Sequence, residues 1–207
     1  MKRAGESSAA KGRGRPRSFD RDTALERAVQ VFWRQGYEGT SISDLTRAMR
    51  INPPSLYAAF GDKESLYLEA LERYQRDRRE EVGPLLEQAR TAREAIEGLL
   101  LEAARLYSQS GAPRGCMLML SGASCADKSM QSKIAERRSV LKNALKARIE
   151  RGVREGELAR GTDASALADF YTTVFKGMAL QARDGASRRT LLAAAEAAMR
   201  AWPKTRS

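Results

Sequence analysis

The chain contains no histidine. Ser-His-Asp triads, HExxH zinc sites and Cys2His2 fingers all need imidazole, so each is excluded outright. Cysteine is almost as scarce. Cys116 and Cys125 are the only two among 207 residues, too few for a four-thiolate zinc site or a disulfide framework, and a reducing compartment is expected. No apolar run approaches the roughly 18 residues of a membrane helix. Nor are the basic first residues followed by an apolar signal region, so a cytoplasmic, soluble protein with no membrane partner is expected. Without histidine, and with almost no carboxylate on the apolar faces of its helical patterns, the chain offers no general base. No enzyme, cofactor or metal site is expected.

What is present is a globular composition, 42% hydrophobic, with a net charge of +11 that favours a polyanionic partner, nucleic acid before membrane. The charge is uneven. Residues 1–17 carry Lys2, Arg3, Lys11, Arg13, Arg15 and Arg17 against Glu6, whereas residues 18–63 hold six basic and six acidic side chains and sum to zero. The first stretch, rich in Gly, Ser and Ala and lacking apolar periodicity, is expected to be a disordered basic arm, the source of salt-sensitive attraction to phosphates.

Beyond it, Leu25, Ala28, Val29, Phe32 and Trp33 form the apolar stripe of a helix over about 21–35, stopped by Gly36. Two short helical patterns follow. Ile42, Leu45 and Met49 fall at i, i+3 and i+7, with Thr40 or Ser41 able to cap their start. Asn52 caps a second pattern and Pro53 opens it at the position where a missing N–H costs nothing. Leu56 and Phe60 hold its inner face before Gly61 ends it. The other face offers Pro54, Ser55, Tyr57 and Ala58, small or hydrogen-bonding groups that let the backbone approach a base edge or phosphate. This spells a helix-turn-helix whose second helix enters a DNA groove.

These residues resemble a family. The run from Phe19 to Leu71 is similar to the DNA-binding domain of TetR-family transcriptional regulators, through Ala28, Phe32, Gly36 with Tyr37, Thr40 with Ser41, Leu45, Ile51, Ser55 to Tyr57, Phe60, Lys63, Glu64 and Leu66. The resemblance implies an all-α homodimer with a recognition helix in the major groove and a variable C-terminal ligand-binding body. It implies a phosphate contact from Lys63, otherwise a solvated surface charge, and DNA contacts are expected from Thr40, Ser41, Ser43, Asn52, Pro54, Ser55, Tyr57 and Ala58. Arg13, Arg15 and Arg17 resemble the arm that reaches an adjacent minor groove in some helix-turn-helix proteins, or else belong to a solubilising tail. Ala58 and Ala59 stand where many members carry histidine or a larger side chain. Base readout therefore leans on Ser55, Tyr57, methyl contacts and DNA shape.

The rest of the chain reads as helix after helix, about nine in all. Asp62 caps a long connector through Tyr67, Ala70, Leu71 and Tyr74, ending near Gly83 and Pro84. Residues 64–207 make a body in which Ile96, Leu99, Leu100, Ala103 and Tyr107 form one amphipathic helix. The apolar run Cys116 to Leu120 reads as a central buried helix, Ile134 to Ile149 as a long one stopped at Gly156, and Asp163 as a cap for the next. Leu167, Tyr171 and Val174 on that helix, and Leu191, Ala195, Ala198 and Trp202 on the last, are the expected homodimer face, or else they complete the core of one chain. Tyr107, Met117, Met119, Phe170, Phe175 and Met178 supply soft apolar surface for a small hydrophobic or aromatic effector, or ordinary core. Cys116 and Cys125, about 180 degrees apart if both lie on one helix, are either buried structural thiols or the sensor of a thiol-based repressor responding to oxidant, electrophile or metal. The function expected is a dimeric repressor that releases a palindromic, double-stranded operator when its effector binds.

Overall fold

The computed structural model describes residues 19–122 and 127–203. The basic arm with Arg15 and Arg17, and also Cys125, lie outside the described residues. Among the described residues every regular element is a helix: α1 (Arg21–Gln35), α2 (Ile42–Met49), α3 (Pro53–Phe60), α4 (Lys63–Glu87), α5 (Ala92–Tyr107), α6 (Met117–Leu120), α7 (Lys128–Arg154), α8 (Ala164–Arg183) and α9 (Arg188–Met199). All but the one-turn α6 start on a side chain that accepts hydrogen bonds from first-turn amides: Asp20, Ser41, Asn52, Asp62, Thr91, Asp127, Asp163 and Ser187. Caps of this kind, each worth about 1 kcal/mol, fix where the helices begin.

α1, α2 and α3 form a three-helix head around Ala28, Phe32, Leu45, Met49 and Leu56, all nearly solvent-free. α4 runs from beneath the head into the body. Its Tyr67 ring meets Phe32 edge-on at 4.9 Å, while Tyr74, two turns on, meets Trp33 at 5.1 Å. Arg21 ties the assembly further, pairing with Glu69 at 2.5 Å and donating to the Ala59 carbonyl at the end of α3. α5, α7, α8 and α9 pack on one another as the body, with the single-turn α6 set against α4, α7 and α8, and the buried side chains of head and body are continuous.

Two elements differ from expectation. α4 passes through Gly83 and Pro84 to Glu87. A proline forfeits one intrahelical bond, but Leu85 and Leu86 beyond it pack on the core and carry the helix one more turn. The apolar run at 116–120 is helical only from Met117 to Leu120, with Cys116 as its cap, so the expected buried helix is a single turn. The reason lies at both ends. Gly115 has φ of +81°, and a Cβ there would stand 2.5 Å from the Ala179 carbonyl of α8, so the backbones meet too closely for any side chain. At the other end Gly122, φ +78°, turns the chain away.

Candidate nucleic-acid interface and effector cavity

The turn between α2 and α3 is built by local hydrogen bonds. Ser41 and Asp44 form a reciprocal capping box, the Ser41 hydroxyl donating to Asp44 Oδ2 at 2.6 Å. That hydrogen bond holds the Asp44 carboxyl below its ordinary range. Arg50 adopts the left-handed conformation (φ 59°) at the end of α2, and Asn52 accepts from the Ser55 amide at 2.8 Å to start α3. Leu56 and Phe60 are sunk into the head; Pro54, Tyr57 and Ala58 are exposed on the opposite side, Ser55 is half-buried at its edge, and Tyr57 keeps 50% of its surface. Ser43 is exposed in the first turn of α2. The outcome is a short, rigidly anchored helix with an uncharged outer face, bordered by the exposed cations Arg47 and Arg50.

Two residues of the expected contact set point elsewhere. Thr40 is 1% exposed and its hydroxyl donates to the Gly36 carbonyl at 2.6 Å, closing the turn after α1, so its side chain is interior. Lys63 Nζ donates to the carbonyls of Tyr37 (3.1 Å) and Thr40 (3.0 Å) and lies 4.3 Å over the Tyr37 ring. Its ammonium is the latch between α4 and the α1–α2 turn, with at most one of three N–H donors left for a phosphate.

In the body, a cavity of about 340 Å³ opens between α4, α5, α7 and α8. Its floor is buried and apolar, with Leu99, Leu118, Met119 and Phe175; its rim carries Arg78, Arg79, Glu87 and Arg137. Tyr74 and Tyr107 also face it. Tyr74 donates to Cys116 Sγ at 3.4 Å, and the Tyr107 phenol lies near the same sulfur. Burial, before the sulfur itself, pushes both phenols well above the ordinary tyrosine range, so both remain protonated donors at any physiological pH.

Of the residues expected to line a pocket, Tyr107, Met119 and Phe175 do so. Met117 and Met178 are buried but do not face the cavity, and Phe170 is 41% exposed on the outside of α8. Of the residues expected either at a homodimer face or in the core of one chain, most lie in the core. Tyr171, Leu191, Ala195, Ala198 and Trp202 are buried within a single chain, where Tyr171 packs against Trp202 at 5.7 Å and burial pushes its phenol up to about 12. Leu167 and Val174 are only half-buried. The outward stripe of α8 instead comprises Phe170, Thr173, Gly177 and Leu180. The cavity residues that sequence reasoning missed, Tyr74, Arg78, Val82 and Leu86, recur every four residues along α4, a spacing that marks one helix face turned toward the body.

A capped helix-turn-helix head on a long connector helix, above a helical body holding a closed-floored cavity, defines a helix-turn-helix transcriptional regulator. The head matches the family described as bacterial regulatory proteins, tetR family, over residues 24–70. Over 197 residues the chain is 31% identical to the HTH-type transcriptional repressor ComR of Escherichia coli (strain K12), spanning 94% of each chain, and it belongs to the TetR family. It is also 32% identical over 182 residues to the HTH-type transcriptional repressor BdcR of the same organism, covering 88% of each. Among solved structures it is similar to the TetR family transcriptional regulator CifR, a cysteine mutant complexed with 26 bp double-strand operator DNA: 43% identity, TM-score 0.88, 91% of this chain and 100% of that one. Among the described residues no helix is long and apolar enough to cross a membrane.

Proposed function

We propose that the protein is a dimeric, cytoplasmic repressor that binds a palindromic operator through α3 and leaves it when a small molecule enters the body cavity. The observation that carries this reading is the outer face of α3, where Pro54, Ser55, Tyr57 and Ala58 surround an anchored helix with no task in the chain's own packing. Residues 1–17 serve as a basic arm, 18–63 as the DNA-binding domain and 64–207 as the sensing and dimerising body. The names of ComR and BdcR and the operator-bound state of CifR support repression and duplex binding.

Signal transfer has a physical route. α4 carries Tyr74 and Arg78 at the cavity and Leu66, Tyr67 and Leu71 under the head. Tyr67 donates to Ser121 Oγ at 2.7 Å, joining α4 to the turn that follows the cavity-lining α6. Arg183 of α8 donates to the Trp33 and Arg34 carbonyls at the end of α1. A ligand that moves α6 or α4 therefore displaces the head. The redox-responsive alternative has less behind it, because Cys116 is buried with two phenols against its sulfur.

The test is operator capture: purified protein against its own upstream intergenic DNA and against random DNA of equal length. A preference of about a thousandfold, retained as salt rises, is the expected result; equal, steeply salt-dependent binding to both rejects the operator-specific reading.

Dimerisation rests on the outward stripe of α8. Leu180 is 54% exposed, and a Cβ on Gly177 would meet nothing, so a twin helix can approach the backbone closely. Leu180→Asp buries a carboxylate in that interface. Light scattering should return half the wild-type mass, with operator affinity at least about tenfold weaker because each half-site must bind alone. A variant that stays dimeric moves the interface off this stripe.

A further inference from the structure

The rim of the cavity holds more positive charge than the chain neutralises. Three arginines and one carboxylate, Glu87, border it. Arg78 pairs with Glu81 at 2.6 Å, but the same Glu81 is also engaged by Arg105 at 2.8 Å, and the Arg78 Nε is buried without a hydrogen-bond partner. Arg137 donates only to the Lys133 carbonyl one turn back, and neither it nor Arg79 has a carboxylate within ion-pairing distance among the described residues. Gln75 of α4 donates to the Arg137 carbonyl at 3.2 Å, fixing the backbone from which that guanidinium projects. Below the rim, the wall is Leu99, Leu118, Met119 and Phe175, ending on two protonated phenols.

Guanidinium groups at Arg79 and Arg137 left without a carboxylate, above an apolar well, have the complement of an amphipathic acid. We infer that the effector is a carboxylate with a compact apolar body: the hydrocarbon or aromatic part fills the well, and the carboxylate is received by Arg137, with Arg78, whose buried Nε lacks a partner, turning toward it. This inference rests on the effector-controlled reading and adds the chemical class. It also joins recognition to response. Arg78 lies 5.4 Å over the Tyr74 ring and 5.9 Å over that of Trp33, a buried residue of α1. An anion that draws the guanidinium toward the cavity loosens the cation's hold on the head.

The experiment compares decanoate with decan-1-ol below micellar concentrations, by calorimetric titration of the full-length protein and by release of the operator complex. Decanoate should bind roughly 10- to 100-fold more tightly than the alcohol, the range a charge-assisted hydrogen bond supplies. Arg137→Gln, which keeps the backbone contact to Gln75, should erase that preference without changing the melting temperature. Equal affinity for acid and alcohol, binding of neither, or an unchanged preference in Arg137→Gln would overturn the inference. A decanoate site that behaves as described but never releases operator DNA would uphold the carboxylate site and sink the effector-controlled reading instead.

Discussion

Tyr57→Ala should weaken operator binding by about 10- to 100-fold and leave the melting temperature unchanged. The two outcomes follow from one geometry. Half of the Tyr57 surface is exposed on the outer face of α3, whereas Leu56 and Phe60 on the inner face hold the helix in the head at 0% and 5% exposure. Truncating Tyr57 removes ring and hydroxyl from the DNA side and touches nothing that folds the head. Because tyrosine is uncharged at neutral pH, the salt dependence of binding should keep its wild-type slope while the whole curve moves to weaker affinity. Loss of an arm arginine would instead flatten the slope. Titrating labelled operator with both proteins at several salt concentrations separates these effects. Wild-type affinity and specificity in Tyr57→Ala, and also in Ser55→Ala, would remove α3 from the reading role and transfer it to the cations around Arg47 and Arg50.

The head was legible in the sequence because its punctuation is chemical. Ser41, Asn52 and Asp62 each cap a helix, Pro53 opens α3, and Gly36 and Gly61, both with positive φ, end α1 and α3. Such signals act within four residues and need no knowledge of the fold. The bonds that Thr40 and Lys63 make were not legible, for the complementary reason. Both are polar and near the turn, but their partners, the carbonyls of Gly36 and of Tyr37 and Thr40, are supplied by the folded turn itself.

The body was less legible because α8 carries large apolar groups on its outer face as well as its inner one. Phe170 and Tyr171 are neighbours about 100 degrees apart on the helix; one faces out and the other is wholly buried. Where both faces carry large apolar groups, periodicity cannot say which belongs to the core and which to a partner. The cavity suffered the same ambiguity. Met117, Met119 and Met178 are chemically alike and all buried, yet only Met119 borders the open space, a distinction set by how α6 lies against α7 and α8.

The largest stability effect is expected far from either site, at the junction of α5 and α7. The Arg148 side chain is 4% exposed, its Nε and Nη1 lack hydrogen-bond partners, and its Nη2 has only the Ala89 carbonyl at 3.3 Å and Glu157 Oε1 at 3.5 Å. Glu157 also accepts from the Ala92 amide at 2.5 Å, satisfying the first turn of α5. A Cβ on Gly152 would stand 2.9 Å from Ala92 Cβ, so helix ends and loop are locked together. Glu157→Ala strands a buried cation and an amide at once. Breaking a buried pair from one side costs about 3–5 kcal/mol, and the residual 18% exposure of Glu157 favours the lower end. For a chain of this length that corresponds to a melting temperature lower by roughly 10 °C, measured at one fixed protein concentration because any self-association adds to apparent stability. Adding Arg148→Met should recover most of the loss, since the stranded charge, rather than the missing bond, is the main penalty. Should the double variant melt no higher than Glu157→Ala, the cost would lie instead in the uncapped α5, and Arg148 would be a spectator.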